Sequence, residues 1–349
     1  MLYFATLFDF NYLSRGLCLI ESLTNTLHER FTLFILALDQ ETIAYFSAHP
    51  NSQVVILSLE QVEAHFQELN EAKRNRSKIE YYFTLSPVLP LYILENYKDC
   101  NRITSLDADI FFFDSPEFFF KEINENDILI TPHDFSPRLN DLAKYGIYNV
   151  SFQSFPNTKN GFDVLHDWKQ KCLAWCKDYS DPETGYFADQ KYLDDWSQEF
   201  THIVPIRLKT FGRAPWNISS TNLIYTGDKF YVDDKPLVYY HFHNLRLKGN
   251  LVTHDLQNYD MPDLTRAVKS LYRIYVRLLN INNKKTGSFS DKNVIRYNRM
   301  ADHQGSLLKR IWEHPYGAVI GSFNKIIFFN ICKLKSGYQS LIKKIGSFN

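Results

Sequence analysis

Two aspartates one residue apart, Asp107 and Asp109, close the apolar run Ile103-Thr104-Ser105-Leu106 and precede another, Ile110-Phe111-Phe112-Phe113. Both runs must return to the core, so the two carboxylates are pressed out at the end of a strand. Spaced i and i+2 on an extended or turning backbone, they can both reach one hard cation, directly or through water, and leave positions open for phosphate oxygens. The triplet alone is weak, because ordinary composition yields about one Asp-x-Asp by chance in a chain of this length. A solvated turn after a strand would carry the same letters. Further ligands are offered by Leu237-Val238-Tyr239-Tyr240-His241-Phe242-His243. Alternate residues after a strand point the same way, which gives His241 and His243 one face and Phe242 the other. One imidazole completes an O,O,N set for manganese, with magnesium the alternative ion. Two histidines merely hydrogen-bonded at a sheet edge are the plainer reading. Arg246 and Lys248 follow at once and could neutralise a departing diphosphate.

The elements that must hold these residues read as an open α/β domain with a mostly parallel sheet. Short apolar runs at Leu2 to Leu7, Phe31 to Leu38, Val54 to Leu57, Arg102 to Leu106, Ile128 to Thr131, Asn149 to Phe155 and Pro236 to Tyr240 predict strands. Helices are expected over Arg15 to Leu27, Pro87 to Asn96, Phe162 to Cys176, from near Phe187, and over Leu264 to Leu279. In such sheets ligands lie beyond the carboxyl ends of the strands, which is where Asp107 and Asp109 fall. No Gly-x-Gly-x-x-Gly and no Walker loop is present, so dinucleotide and P-loop chemistry are unsupported.

The chain has 349 residues, 45% of them apolar, enough for one large catalytic domain and an appendage. A formal net charge of +0 gives no footprint for a nucleic-acid partner. That balance hides a split, since residues 251–349 hold 16 Lys and Arg against 6 Asp and Glu. We therefore expect a domain over 1–250 and a basic, mainly helical extension over 251–349, with 280–292 as a linker. From Gly305 onward Lys309, Arg310, Lys325, Lys333, Lys335, Lys343 and Lys344 mix with Trp312, Phe323, Phe328, Phe329 and Phe348. That mixture suits an amphipathic segment on an anionic membrane surface or a helical appendage docked on the main domain. Five scattered cysteines without metal-ligand spacing point to reduced thiols and a cytoplasmic setting. The start, Met1-Leu2-Tyr3-Phe4-Ala5-Thr6, reads as a first strand rather than a signal peptide, and no apolar run approaches the roughly 18 residues of a membrane span.

Taken together, these residues resemble the metal-dependent glycosyltransferases of the GT-A fold, and among them the retaining group that includes glycogenin and bacterial lipopolysaccharide galactosyltransferases. The resemblance covers roughly residues 1–250 and runs in the same order along the chain. It implies that His241, within His241-Phe242-His243-Asn244, is the third metal ligand ahead of His243. It implies further that Asn149 lies near the donor sugar, that Asp189 and Gln190 lie beneath it, and that Thr6, Asp9 and Asn11 hold base and ribose. Arg76, with Arg74 and Lys78, falls in a stretch that touches donor phosphate or sugar in such enzymes. The implied donor is a nucleotide diphosphate sugar, UDP-linked by preference, and the implied acceptor is a surface glycan or its lipid-linked precursor. If configuration is retained, Gln190 steadies the oxocarbenium-like sugar; if it is inverted, Asp189 is the candidate base. Asn244 stands where the group has Gly, Lys191 stands where an Asp usually follows Asp-Gln, and the group's Lys-Pro-Trp ending is absent. A sugar-phosphate nucleotidyltransferase is the enzymatic alternative, though Phe8-Asp9-Phe10-Asn11-Tyr12 is not its Gly-rich loop. A scaffold or carbohydrate-binding protein that has lost the chemistry is the other.

Overall fold

The computed structural model describes residues 1–248, 251–261, 264–287, 318–322 and 325–329. Chain order begins β1 (Leu2–Phe8), α1 (Leu13–Thr26), β2 (Phe31–Ala37), α2 (Gln40–Ala48) and β3 (Val54–Ser58). It continues through α3 (Leu59–His65), α4 (Leu69–Asn75), α5 (Lys78–Asn96), β4 (Arg102–Leu106), β5 (Ile110–Phe112) and α6 (Glu117–Phe120). Then come β6 (Ile128–Pro132), β7 (Tyr148–Pro156), α7 (Lys159–Ala174), α8 (Trp196–Glu199) and β8 (Ile203–Pro205). These strands form one sheet, β5 excepted, in the order β3-β2-β1-β4-β7-β6-β8. The first four are parallel, β7 runs against both its neighbours, and β8 is parallel to β6. Because β2 is covered on both faces, its sequence is apolar at every position but Thr32 rather than alternating. Gly16 lets α1 close on β1, since a Cβ there would run into the Phe8 ring.

The order turns back between β1 and β4, so loops after these two strands diverge and leave a crevice at their carboxyl ends. A smaller set of strands covers one side of it: β9 (Leu223–Thr226), β10 (Lys229–Val232), β11 (Lys235–Pro236), β12 (Tyr239–His241), β13 (Arg246–Lys248) and β14 (Leu251–Thr253). Last are α9 (Arg266–Thr286), β15 (Ala318–Ser322) and β16 (Lys325–Phe329), the two strands pairing in sequence onto β14. α9 packs on α1, and its Tyr272 and Tyr275 are wholly buried with Phe111, Tyr240 and Phe242. Among the described residues no helix is long and apolar enough to cross a membrane.

Four expectations change. α5 starts at Lys78 rather than Pro87, because Ser77 and Glu80 form a capping box upstream and Pro87 and Pro90 are accommodated inside the helix. No regular helix starts at Phe187: Ala188 takes a left-handed φ of 49°, and a 3-10 turn over Lys191–Asp194 precedes the short α8. The expected linker from Asn280 is helical as far as Thr286, where Gly287 at φ 62° supplies a left-handed cap. In the tail, the described residues form strands β15 and β16 rather than helix; Lys309, Arg310, Trp312, Phe323, Lys333, Lys335, Lys343, Lys344 and Phe348 lie outside the described residues. Cys18, Cys100, Cys172 and Cys176 are free and buried.

Candidate active site

β4 stops at Leu106, and the N–H of Asp107 donates to Ser151 O of β7 at 3.0 Å. Ile110 N–H then returns to Asp107 O at 3.2 Å, which closes a tight turn with Ala108 buried inside it. The apolar run after the acids becomes β5 and pairs antiparallel with β12, setting Ile110 opposite His241. Phe242 N–H donates to Asp109 O at 3.0 Å. This pairing, unreadable from local sequence, is what carries the histidine segment to the acids.

The result is one cluster: carboxylate oxygens of Asp107 and Asp109 and a ring nitrogen of His241 lie within 4.8 Å of one another. His241 Nε2 is 3.0 Å from Asp109 Oδ1 and 3.6 Å from Asp107 Oδ2. The Asp109 side chain is 12% exposed and that of Asp107 39%, so Asp107 faces the crevice and Asp109 its floor. Burial raises Asp107 to about 6, with His241 opposing and Asp109 adding to the rise. Burial also works against the charge on Asp109, but His241 outweighs it and holds this carboxyl below the ordinary range. For His241, burial disfavours the charged ring, yet the two acids raise its pKa overall. Two carboxylates and an imidazole aimed at one point suit a divalent ion with oxygen and nitrogen ligands. The donor set thus fits the expected metal, which would take the place now held by the His241 to Asp109 hydrogen bond.

His241 and His243 share a face, as expected: their rings are 5.5 Å apart and both stand edge-on to Trp216. Phe242 points the other way and stacks flat on Tyr275 at 3.8 Å and 9°. Trp216 is buried behind the histidines and offers them a wall rather than offering solvent a sugar-stacking face. Burial, helped by the nearby His241, lowers His243 to about 4 and leaves it neutral. Asn244 has φ 55°, a left-handed conformation that Gly takes freely and Asn better than most. That accounts for Asn where the resembled group has Gly. Asn244→Gly is therefore expected to stay within about 0.5 kcal/mol of wild type in urea unfolding, and Asn244→Val to lose about 1–2 kcal/mol.

The other expected residues are distributed unevenly. Asp189 is 2% exposed and accepts from Ser86 Oγ at 2.5 Å. Burial lifts its pKa to about 7, against the Ser86 bond and with repulsion from Asp107, so Asp189 and Asp107 feel each other's charge. Gln190 donates from Nε2 to Tyr145 O at 2.9 Å. Asn149 gives Nδ2 to Pro132 O at 3.3 Å and accepts at Oδ1 from Ser151 N and Oγ. Thr6 is buried at the end of β1, its hydroxyl without a hydrogen-bond partner among the described residues. Asp9 caps the turn after β1, accepting from Asn11 N–H at 3.1 Å and pairing with Lys78 at 2.7 Å. Arg246 donates to Asn244 Oδ1 at 3.3 Å, and its charge reaches the Tyr12 hydroxyl. Lys248 lies in β13, and of it only the backbone belongs to the described residues. Arg76 is spent elsewhere: it binds Thr84 Oγ1 and, at 2.5 Å, Leu173 O, tying α5 to α7.

Three residues escaped the sequence reading. Ser86 sits inside α5 just before Pro87 and carries no signal of its own. Tyr12 is 37% exposed, with Asp109 and Asp107 acting on its hydroxyl. Arg15 lies beneath it, its guanidinium carbon 4.3 Å from the Tyr12 ring centre. A tyrosine and an arginine at i and i+3 at a helix start were the available signal.

No family model matches the chain. The uncharacterized proteins YfnD and YfnF of Bacillus subtilis (strain 168) are each 28% identical to it, over 72% and 62% of this chain and 81% and 72% of their own. The galactosyltransferase LgtC, solved in complex with donor and acceptor sugar analogs, superposes with a TM-score of 0.50 at 12% identity, covering 82% of this chain and 100% of that one. Likeness at that identity shows the fold, and the fold is GT-A.

Proposed function

We propose that this GT-A chain is a metal-dependent glycosyltransferase that takes a sugar from a nucleotide diphosphate, UDP being the first to test, and passes it to a glycan or lipid-linked acceptor. One observation carries the reading: Asp107, Asp109 and His241 converge at the carboxyl ends of the sheet, on a fold shared with a solved sugar transferase. Asp109 and His241 would hold the ion, manganese or magnesium, with the more exposed Asp107 on the ion or the ribose. When bound, the ion neutralises charge building on the departing diphosphate, commonly the largest contribution in such reactions.

The chain's own residues account for the rest. Tyr12 offers an exposed flat face beside the acids, suited to a base, while Asp9 and Asn11 line the turn from which it rises and Thr6 lies buried in the strand that leads to it. Arg246 follows the histidines and adds positive charge on the leaving-group side, and Lys248 is the next cation in the sequence. Gln190 uses its amide N–H on Tyr145 O, which leaves its carbonyl oxygen to face positive charge developing at the anomeric carbon. Asn149 is fixed at both ends of its amide and would contact the sugar without reorganising. This arrangement favours retention; an inverted product, read by NMR of the anomeric proton, would transfer the catalytic role to Asp189, whose pKa of about 7 suits a base.

We take 1–250 as the catalytic unit and 251–349 as its extension, with α9 bracing the histidine strand through Phe242 and Tyr275. The basic tail would meet an anionic membrane surface where a lipid-linked acceptor resides. Calorimetry of the full chain with UDP, GDP and ADP, with and without manganese, tests the donor class. Tight binding of one of them that needs the ion is expected; no binding of any would remove the proposal.

A further inference from the structure

Arg15 lies in the first turn of α1 and is only 4% exposed. A buried guanidinium is costly unless an anion faces it, and among the described residues no carboxylate lies within ion-pair distance. Two neutral groups hold it instead. Nη2 donates to Leu245 O at 2.7 Å, and the flat guanidinium lies against the Tyr12 ring. Nε is buried with no hydrogen-bond partner among the described residues. Leu245 follows His243 and Asn244 and precedes Arg246, while Tyr12 ends the turn after β1. One side chain therefore joins the two segments between which Asp107 and Asp109 emerge, and its charge is felt at Asp109.

We propose that Arg15 is a positioning residue for the donor nucleotide, locking the Tyr12 ring to the Leu245–Arg246 segment and setting a fixed positive charge behind the acidic pair. The inference rests on the nucleotide-sugar reading above. Lysine cannot replace it fully, because an ammonium lacks the plane that lies on Tyr12 and the fork that reaches the Leu245 carbonyl at the same time. The fixed charge has opposite effects on two ligands. It repels a divalent ion arriving alone and attracts a diphosphate arriving with that ion. A merely structural arginine would not separate them, since loosening the histidine segment weakens both.

The test is calorimetry on the full chain with manganese alone and with UDP at saturating manganese, on wild type, Arg15→Met and Arg15→Lys. For Arg15→Met, manganese affinity should hold or tighten by a few-fold while UDP affinity falls about tenfold or more. Arg15→Lys should bind manganese as wild type does and recover UDP affinity in part. Should Arg15→Met fail to fold, a several-fold UDP loss in Arg15→Lys at unchanged manganese affinity supports the proposal, and equal UDP affinity overturns it. Parallel loss of both ligands in either folded variant also overturns it. Wild type that binds manganese but not UDP, GDP or ADP defeats the nucleotide-sugar reading itself, and this inference with it; wild type that binds a nucleotide, with variants no different, defeats this inference alone.

Discussion

Asp109→Asn should lower kcat/KM for metal-dependent sugar transfer, or for hydrolysis of the nucleotide sugar by water, by about 10³-fold or more. The side chain is the inner of the two acids, closest to His241 at 3.0 Å, and its charge is already stabilised, so it needs no deprotonation before taking an ion. Asparagine keeps the shape and can still accept from His241, which should hold the melting temperature within a few degrees and separate chemistry from folding. Asp107→Asn should cost less, about 10- to 100-fold, because Asp107 stands 39% exposed where water or the donor can partly replace it. Manganese titration with UDP present would follow both variants. Equal losses at the two positions would mean that the acids act as an undivided pair, against the inner and outer roles argued here.

The sequence made this pair legible because apolar residues flank it on both sides, and a strand that ends in charge can only end at the surface. The parallel half was most readable at β2, where every position but Thr32 is apolar and both faces are covered, and least at β4, where Arg102, Thr104 and Ser105 interrupt the run. What local pattern could not carry was the pairing of β5 with β12. That contact joins residues near 110 to residues near 240 through only three positions a side, too few to leave a periodic trace. His241 could thus be named as a ligand only by resemblance, and the pairing supplies the physical cause.

Arg76 and Arg15 show the same limit from opposite sides. Arg76 looks like donor chemistry in a run of cations, yet its guanidinium is committed to nearby Thr84 and to Leu173 O, far along the chain. Arg15 looks like one more helix residue, yet its partner is Leu245 O, 230 positions away. Charge type was visible in both cases, while the burial and the partner that decide its use were tertiary. Pro87 misled in a simpler way: it marks helix starts on average, but the capping box at Ser77 and Glu80 was the stronger signal and lay upstream of it.

Asp189→Asn should make the donor-free protein more stable at pH 8 and far less active. The ordinary value for an aspartate is 3.8, and burial raises Asp189 to about 7 despite the hydrogen bond from Ser86. Below pH 4 the carboxyl is protonated in folded and unfolded chains alike, so it costs nothing. Between pH 4 and 7 the unfolded chain releases the proton and the folded one keeps it, and stability falls steadily as pH rises; above about 7 the loss is constant. A difference of about three between the two values corresponds to about 4 kcal/mol. Asparagine cannot ionise, and its amide oxygen can still accept from Ser86, so the variant should recover about 2–4 kcal/mol at pH 8 and almost none at pH 4. In a chain of this size that is a rise in Tm of about 5 °C at the higher pH. Activity should fall about 10²-fold or more, whether Asp189 orients the sugar or acts as base. Thermal melts at pH 4.5 and 8 decide the matter: a shift of the same size at both would show that Asp189 is held at no electrostatic cost. A gain confined to high pH, paired with lost turnover, is the signature of a carboxylate kept in an unfavourable place because the reaction needs it there.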